Sequence, residues 1–171
     1  MCGIAGFVAP SGVRADRAVL ERMVASLRHR GPDAVGYHVD GPVALGVARL
    51  RIIDLETGDQ PIATEDGSVT VVLNGEIYDC ADHRHELEAR GHRFRSRSDT
   101  EVVAHAWAER SEDCLERLNG RFALALWDAR REQLFLARDR MGEKPLYYTV
   151  AGGALVFASE LRALLLHPAV S

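Results

Sequence analysis

Three glycine-bearing turn signals set the tightest limit on how this chain can fold. Asp40-Gly41, Asp66-Gly67 and Gly152-Gly153 each separate short apolar runs, the pattern of tight hairpins. Hairpins join antiparallel strands, because a parallel pair needs a long crossover. Further strands are expected at 3–9 (GIAGFVA), 120–127 (GRFALALW), 133–137 (QLFLA), 145–150 and 154–158. Helices are expected between them. Asp16 can cap a helix in which Leu20, Met23, Val24 and Leu27 share one face, and that helix should stop before Gly31-Pro32. A second helix is expected at 81–90, and a short one closes the chain from Ser159. Another starts at Ser98, which has capping-box spacing to Glu101 and an apolar face of Val102, Val103, Ala106 and Trp107. The class is α+β: antiparallel sheets with helices on their outer faces.

At 171 residues the chain is one domain able to bury about 70% of its unfolded surface. A net charge of −4 argues against nucleic acid or an anionic membrane as partner. No apolar run approaches the ~18 residues of a membrane span, and no basic-then-apolar leader opens the chain. Cys2, Cys80 and Cys114 are scattered without CxxC spacing, so a reducing, cytoplasmic setting is expected, with no disulfide framework and no zinc cluster. His83-Arg84-His85 with His92 has the composition of a metal site, but HxH on a helix turns its two rings to different faces; no metal is expected. Arg93, Arg95 and Arg97 alternate as one solvated face of an edge strand would. No GxGxxG or GxxxxGK[ST] string occurs.

Cys2 is the candidate for covalent chemistry. Its small side chain suits removal of Met1, after which one residue holds a thiol nucleophile and an α-amine. The amine's reference pKa, roughly 7.7–8.0, makes it a base near neutral pH. Nucleophile and base on one residue need no long-range positioning. The plain alternative is a small residue entering a strand.

Six stretches line up with Cys2: RHRGPD (28–33), ARLRIID (48–54), VLNGEIY (72–78), SRSDTEV (96–102), RDRMGEKPLYY (138–148) and FASELRALL (157–165). Together they resemble the class II glutamine amidotransferase domain, in particular the N-terminal glutaminase half of glutamine-dependent asparagine synthetases, from Met1 to about Pro168. The resemblance implies the N-terminal-nucleophile αββα sandwich, with its last strands in question. It implies hydrolysis of L-glutamine to glutamate and ammonia, without metal or organic cofactor. Arg49 matches the arginine for the substrate carboxylate, with the main chain through Ile52 and Ile53 bordering the same group. Asp99 matches the aspartate for the substrate ammonium, with Glu76 assisting. Asn74 and Gly75 match the oxyanion hole, and RHRGPD the loop that closes over glutamine.

Each residue also has a plain reading. Arg49 would be a solvated strand-end arginine, Ile52 and Ile53 core side chains, and Glu76 a strand-end charge. Asp99 would be a carboxylate favoured at a helix start, Asn74-Gly75 a hairpin turn, and Arg30 and Asp33 partners of each other. His29 reads as loop scaffolding, Cys80 and Cys114 as semi-buried bystanders, and Lys144, the lone lysine, as part of an acceptor-facing or structural loop. Arg51 and Asp79 depart from the family pattern beside the pocket motifs. In the family a second domain follows, with an SGGxDS-type ATP-pyrophosphatase loop; no such string occurs in these 171 residues. ATP and Mg are therefore expected only in that missing domain, and the partners are L-glutamine and a synthetase domain or subunit. Two other functions compete: an N-terminal-cysteine amidohydrolase on another amide, and a catalytically silent regulatory module.

Overall fold

The strand running out of Cys2 lies at the centre of a sheet. The computed structural model describes residues 1–52 and 54–170. Its elements are β1 (Gly3–Val8), α1 (Arg17–Ala25), β2 (Ala34–Asp40), β3 (Val43–Arg49), β4 (Ile62–Ala63), β5 (Val69–Ile77), α2 (Cys80–Ala89) and α3 (Asp99–Arg110). After these come α4 (Cys114–Arg117), β6 (Gly120–Asp128), β7 (Gln133–Arg138), β8 (Tyr147–Ala151), β9 (Ala154–Ala158) and α5 (Leu161–Leu164). One sheet runs β2-β3-β1-β9-β8 and the other β4-β5-β6-β7. Every pairing is antiparallel. All three glycine-bearing signals form hairpin turns: β2 to β3, β4 to β5, and β8 to β9.

Alternation along the strands builds the layers. On β5 and β6, Val71, Leu73, Leu124 and Leu126 pack with Val103 and Trp107 of α3. The opposite faces of those strands, with Val72, Ala123 and Ala125, meet Ile4 of β1, Val43, Leu45 and Val47 of β3, and Phe157 of β9. The outer face of the first sheet, including Phe7 and Val156, is covered by Leu20, Met23, Val24 and Leu27 and by Leu164 of α5. Two sheets thus lie between two helical layers. Asp16 caps α1 through its side chain, accepting from Ala18 N at 2.8 Å; the four apolar residues read from the sequence are all buried.

Two local expectations are overturned. The segment around Arg93, Arg95 and Arg97 forms no strand. Carboxylates take its N–H groups instead: Arg95 N donates to Glu101 at 2.8 Å and Arg97 N to Asp54 at 2.7 Å. The Ser98–Glu101 capping box is only half made. Ser98 Oγ accepts from Thr100 N at 3.2 Å, but the Glu101 carboxylate holds the N–H groups of Arg95 and Ser96 rather than that of Ser98.

Asn74-Gly75 is not a turn; both residues lie inside β5, opposite Ala123 and Phe122 of β6. Gly75 is fixed by sterics, since a Cβ there would stand 2.1 Å from Arg121 O and 2.6 Å from Phe122 Cα. The close approach glycine permits is therefore to the neighbouring strand. Gly75→Ala should cost roughly 2–3 kcal/mol of stability, because the methyl can be housed only by moving backbone. A urea midpoint unchanged from the parent's would contradict this packing.

Candidate active site

Cys2 stands at the open end of the space between the sheets, packed against the inter-sheet cluster that includes Ile4 two residues on. Its sulfur is seated by the segment after β3: Leu50 N donates to Sγ at 3.4 Å, and the thiol donates to Leu50 O at 3.6 Å. Its carbonyl accepts from Arg30 Nε at 3.0 Å, while Arg30 Nη1 pairs with Glu160 at 3.1 Å. Arg30 therefore positions Cys2 rather than pairing with Asp33, whose carboxylate accepts from Arg51 N at 2.9 Å. Gly31 brings this loop against β3, since a Cβ there would lie 2.2 Å from Ala48 O. His29 bonds Glu160 at 2.9 Å, as scaffolding would.

A cleft with about 130 Å³ of free volume opens beside the sulfur, lined by Cys2, Arg49, Asn74, Gly75, Glu76 and Asp99 among others. The structure thus brings together seven of the eight residues singled out for catalysis or binding. Ile52 also lines the cleft but is 73% exposed, so its side chain is not core. Ile53 lies outside the described residues.

Asn74 is the most telling member. It is 1% exposed, and neither its Oδ1 nor its Nδ2 has a hydrogen-bond partner among the described residues. Buried amide atoms are almost always partnered, and leaving one unmade costs about 1–3 kcal/mol. Strand alternation puts Asn74 on the face of β5 shared with Val72, which turns toward the sheet of Cys2.

Asp99 opens α3, is 4% exposed, and accepts from Ile77 N at 3.0 Å. Burial pushes its carboxyl above the usual range, against main-chain hydrogen bonds from Ile77 and Thr100 that lower it; Glu76 adds a small upward push. Glu76 faces Arg121 across the strands at 3.7 Å. At the other end Arg49 is 4% exposed, donates to Asp54 O at 2.8 Å and pairs with Asp59. Arg51 grips that same Asp59 with Nε at 3.1 Å and Nη2 at 2.6 Å. Hydrogen bonding to Arg51, and then to Arg49, holds the Asp59 carboxyl below its ordinary value despite some burial. Asp59 is thus shared by two guanidiniums, with the carboxylates of Asp33 and Asp54 close by. Asp79 does not line the cleft; it accepts from Asn119 N at 3.3 Å and pairs with His83 at 3.3 Å.

Gln60 and Lys144 of the cleft lining, and Asp54 behind it, were not singled out for the site from sequence. Gln60 lines the wall while its Oε1 accepts from Leu73 N at 2.6 Å. Lys144, read as a loop residue, also lines the cleft. It is turned there by Asp139, which accepts from the N–H groups of Phe122 at 3.2 Å and Lys144 at 3.1 Å. Asp54 binds both ends of the site together: its carbonyl holds Arg49, and its carboxylate takes Arg97 N just before α3. Its pKa is lowered to about 2, because hydrogen bonds from Thr57 and Arg97 outweigh the opposing effect of burial. A run of ordinary loop residues signals none of this, since each role depends on a partner many positions away.

A family model described as a glutamine amidotransferase domain matches residues 1–171. Asparagine synthetase [glutamine-hydrolyzing] 3 of Bacillus subtilis (strain 168) is 44% identical over 171 residues, which is 98% of this chain and 28% of that protein. Asparagine synthetase [glutamine-hydrolyzing] 2 of Arabidopsis thaliana is 41% identical over 166 residues, 96% of this chain and 28% of that protein. The chain thus spans little more than a quarter of the length of these relatives. Among solved structures, a glutamine phosphoribosylpyrophosphate amidotransferase from B. subtilis superposes with a TM-score of 0.79 at 24% identity. That overlap covers 99% of this chain and 44% of the other, and it speaks for the fold.

Proposed function

The chain belongs to the glutamine amidotransferase domain family, and from that membership we propose that its cleft hydrolyses L-glutamine to glutamate and ammonia with Cys2 as the nucleophile. The observation that carries the reading is Asn74, a buried amide with both polar atoms unpartnered among the described residues, in the wall of the cleft that Cys2 borders. An oxyanion formed from the substrate amide is the partner such a side chain lacks.

With Met1 removed, the Cys2 α-amine takes the thiol proton, directly or through a water. The thiolate attacks the amide carbon, and the oxyanion is held by Asn74 Nδ2 and the Gly75 N–H. The proton passes to the leaving nitrogen, ammonia departs, and water hydrolyses the γ-glutamyl thioester. The Arg49 guanidinium receives the substrate carboxylate, with the main chain at Ile52 beside it. Asp99, with Glu76 nearby, receives the ammonium, whose charge offsets the burial that raises this carboxyl. Each step uses a group of this chain or water. By analogy with the synthetases it resembles, the ammonia goes to an acceptor domain or subunit, and the setting is the cytoplasm. No helix among the described residues is long and apolar enough to cross a membrane.

Purified protein with Cys2 at its N-terminus should release ammonia and glutamate from L-glutamine, and far less from N-acetylglutamine or glutaminamide, which lack one of the two charges. Equal turnover of all three would favour a general amidohydrolase, and none with glutamine a silent module. Asp99→Asn should raise KM roughly 10–100-fold, the worth of a charge-assisted contact. The pH profile carries the same signature. Protonated Asp99 has no charge to offer an ammonium, so kcat/KM should fall as pH drops through its raised pKa, and this limb should vanish in Asp99→Asn.

A further inference from the structure

A second cluster lies in a separate cavity of about 190 Å³, bordered by Glu65, His92, His105 and Arg130 among others. Glu65 sits in the turn between β4 and β5, His92 in the connection after α2, and His105 within α3. His92 Nδ1 and His105 Nδ1 are 3.1 Å apart, and Glu65 Oε2 is 3.5 Å from His105 Nδ1. One donor atom from each residue lies within 4.8 Å of the others. A tetrahedral ion with bonds of about 2.0–2.1 Å would space its nitrogen and oxygen ligands roughly 3.3 Å apart. The far nitrogens face carboxylates as well: His92 Nε2 is 3.2 Å from Glu109, and His105 Nε2 is 3.8 Å from Glu101.

Every assignment of protons to two neutral rings leaves at least one nitrogen unmatched. If each ring turns an Nε2–H toward its carboxylate, two Nδ1 lone pairs face each other at 3.1 Å. If His105 donates from Nδ1 instead, its bare Nε2 points toward the Glu101 carboxylate; that nitrogen has no hydrogen-bond partner among the described residues. A protonated His105 would answer both needs only by burying a cation in a side chain 0% exposed. A metal ion on the two Nδ1 atoms leaves both Nε2–H groups turned to carboxylates, His92 within hydrogen-bond distance of Glu109 and His105 farther from Glu101 at 3.8 Å, in the manner of a carboxylate–histidine–metal relay. The rings are also clamped, His105 lying against Phe94 at 4.5 Å and His92 at 5.0 Å between centroids. Arg130 opposes a cation here, but its guanidinium is engaged by Asp66.

We propose that Glu65, His92 and His105 form a binding site for one zinc-class divalent ion, with the fourth position open to the cavity. The ion would tie the β4–β5 turn and the α2–α3 connection to α3, the helix whose first turn carries Asp99.

The test uses a chain stripped of any polyhistidine tag, in a Cys2→Ala background so that the N-terminal thiol cannot chelate. Calorimetric titration with Zn²⁺ alone should give one equivalent bound, and Co²⁺ should give the intense visible bands of a tetrahedral site. His92→Ala and Glu65→Gln, both at accessible positions, should each weaken Zn²⁺ binding by at least 100-fold. Glu109→Gln, which keeps all three ligands but loosens the relay and the Glu109–Arg90 pair, should weaken it roughly 10–100-fold. Zn²⁺ should raise the melting temperature of the Cys2→Ala parent but not of the two ligand variants. Binding weaker than millimolar, or binding undiminished by His92→Ala and Glu65→Gln, would overturn the proposal and leave a proton-bridged histidine pair.

Discussion

Cys2→Ala is expected to reduce ammonia release from glutamine by about 10⁴-fold or more, as removing the nucleophile of a covalent mechanism does. The fold should barely notice. Cys2 is partly exposed and precedes β1, and the two contacts of its sulfur, to Leu50 N and O, are long and weak. A urea midpoint within about 0.5 kcal/mol of the parent's is expected, as for most substitutions away from the core. A companion experiment isolates the base. Any residue left ahead of Cys2 turns its α-amine into an amide, which cannot accept the thiol proton. Protein with Met1 retained, verified by intact mass, should therefore be as inactive as Cys2→Ala, although its sulfur is untouched. Full turnover by that form would refute the α-amine as base while leaving the nucleophile in place.

Asn74→Ala is expected to lower kcat by about 10²–10³-fold, the usual consequence of losing one oxyanion donor, with KM little changed. Its effect on stability should have the opposite sign. The amide is buried with both polar atoms unpartnered, so alanine relieves the fold of a desolvation penalty. A gain of about 1 kcal/mol in unfolding free energy, offset in part by the small void, is the expected outcome. Activity and stability moving in opposite directions is what a group held ready for a transition state should show. If Asn74 were ordinary packing, the variant would lose stability and keep its kcat.

Much of this architecture can be read from local signals. The Asp-Gly and Gly-Gly turns fix their own strand pairs, and Asp16 caps α1 through a bond made two residues away. The capping-box and edge-strand expectations fail for one shared reason: Glu101 and Asp54 reach along and across the chain to claim N–H groups that spacing assigns elsewhere. Lys144, read as a loop residue, enters the cleft because Asp139 folds the intervening turn beneath it. Ile52 looks apolar enough for a core, yet it stands exposed at the rim. The histidine pair shows the same limit. The HxH string at 83–85 is adjacent only in sequence, whereas His92 finds His105 only after α2 and α3 have packed. The roles of Cys2, Asn74 and Asp99 become legible only in combination, through motifs dispersed over a hundred residues.

The nucleophile and the oxyanion donor ride on different sheets, Cys2 ahead of β1 and Asn74 within β5, with the side chains of the central apolar layer packed between them. Turnover is therefore a ruler for the gap between those sheets. Shaving a filler such as Phe157 or Trp127 would let them drift by fractions of an ångström that circular dichroism cannot see, and catalysis would fade well before the sandwich comes apart.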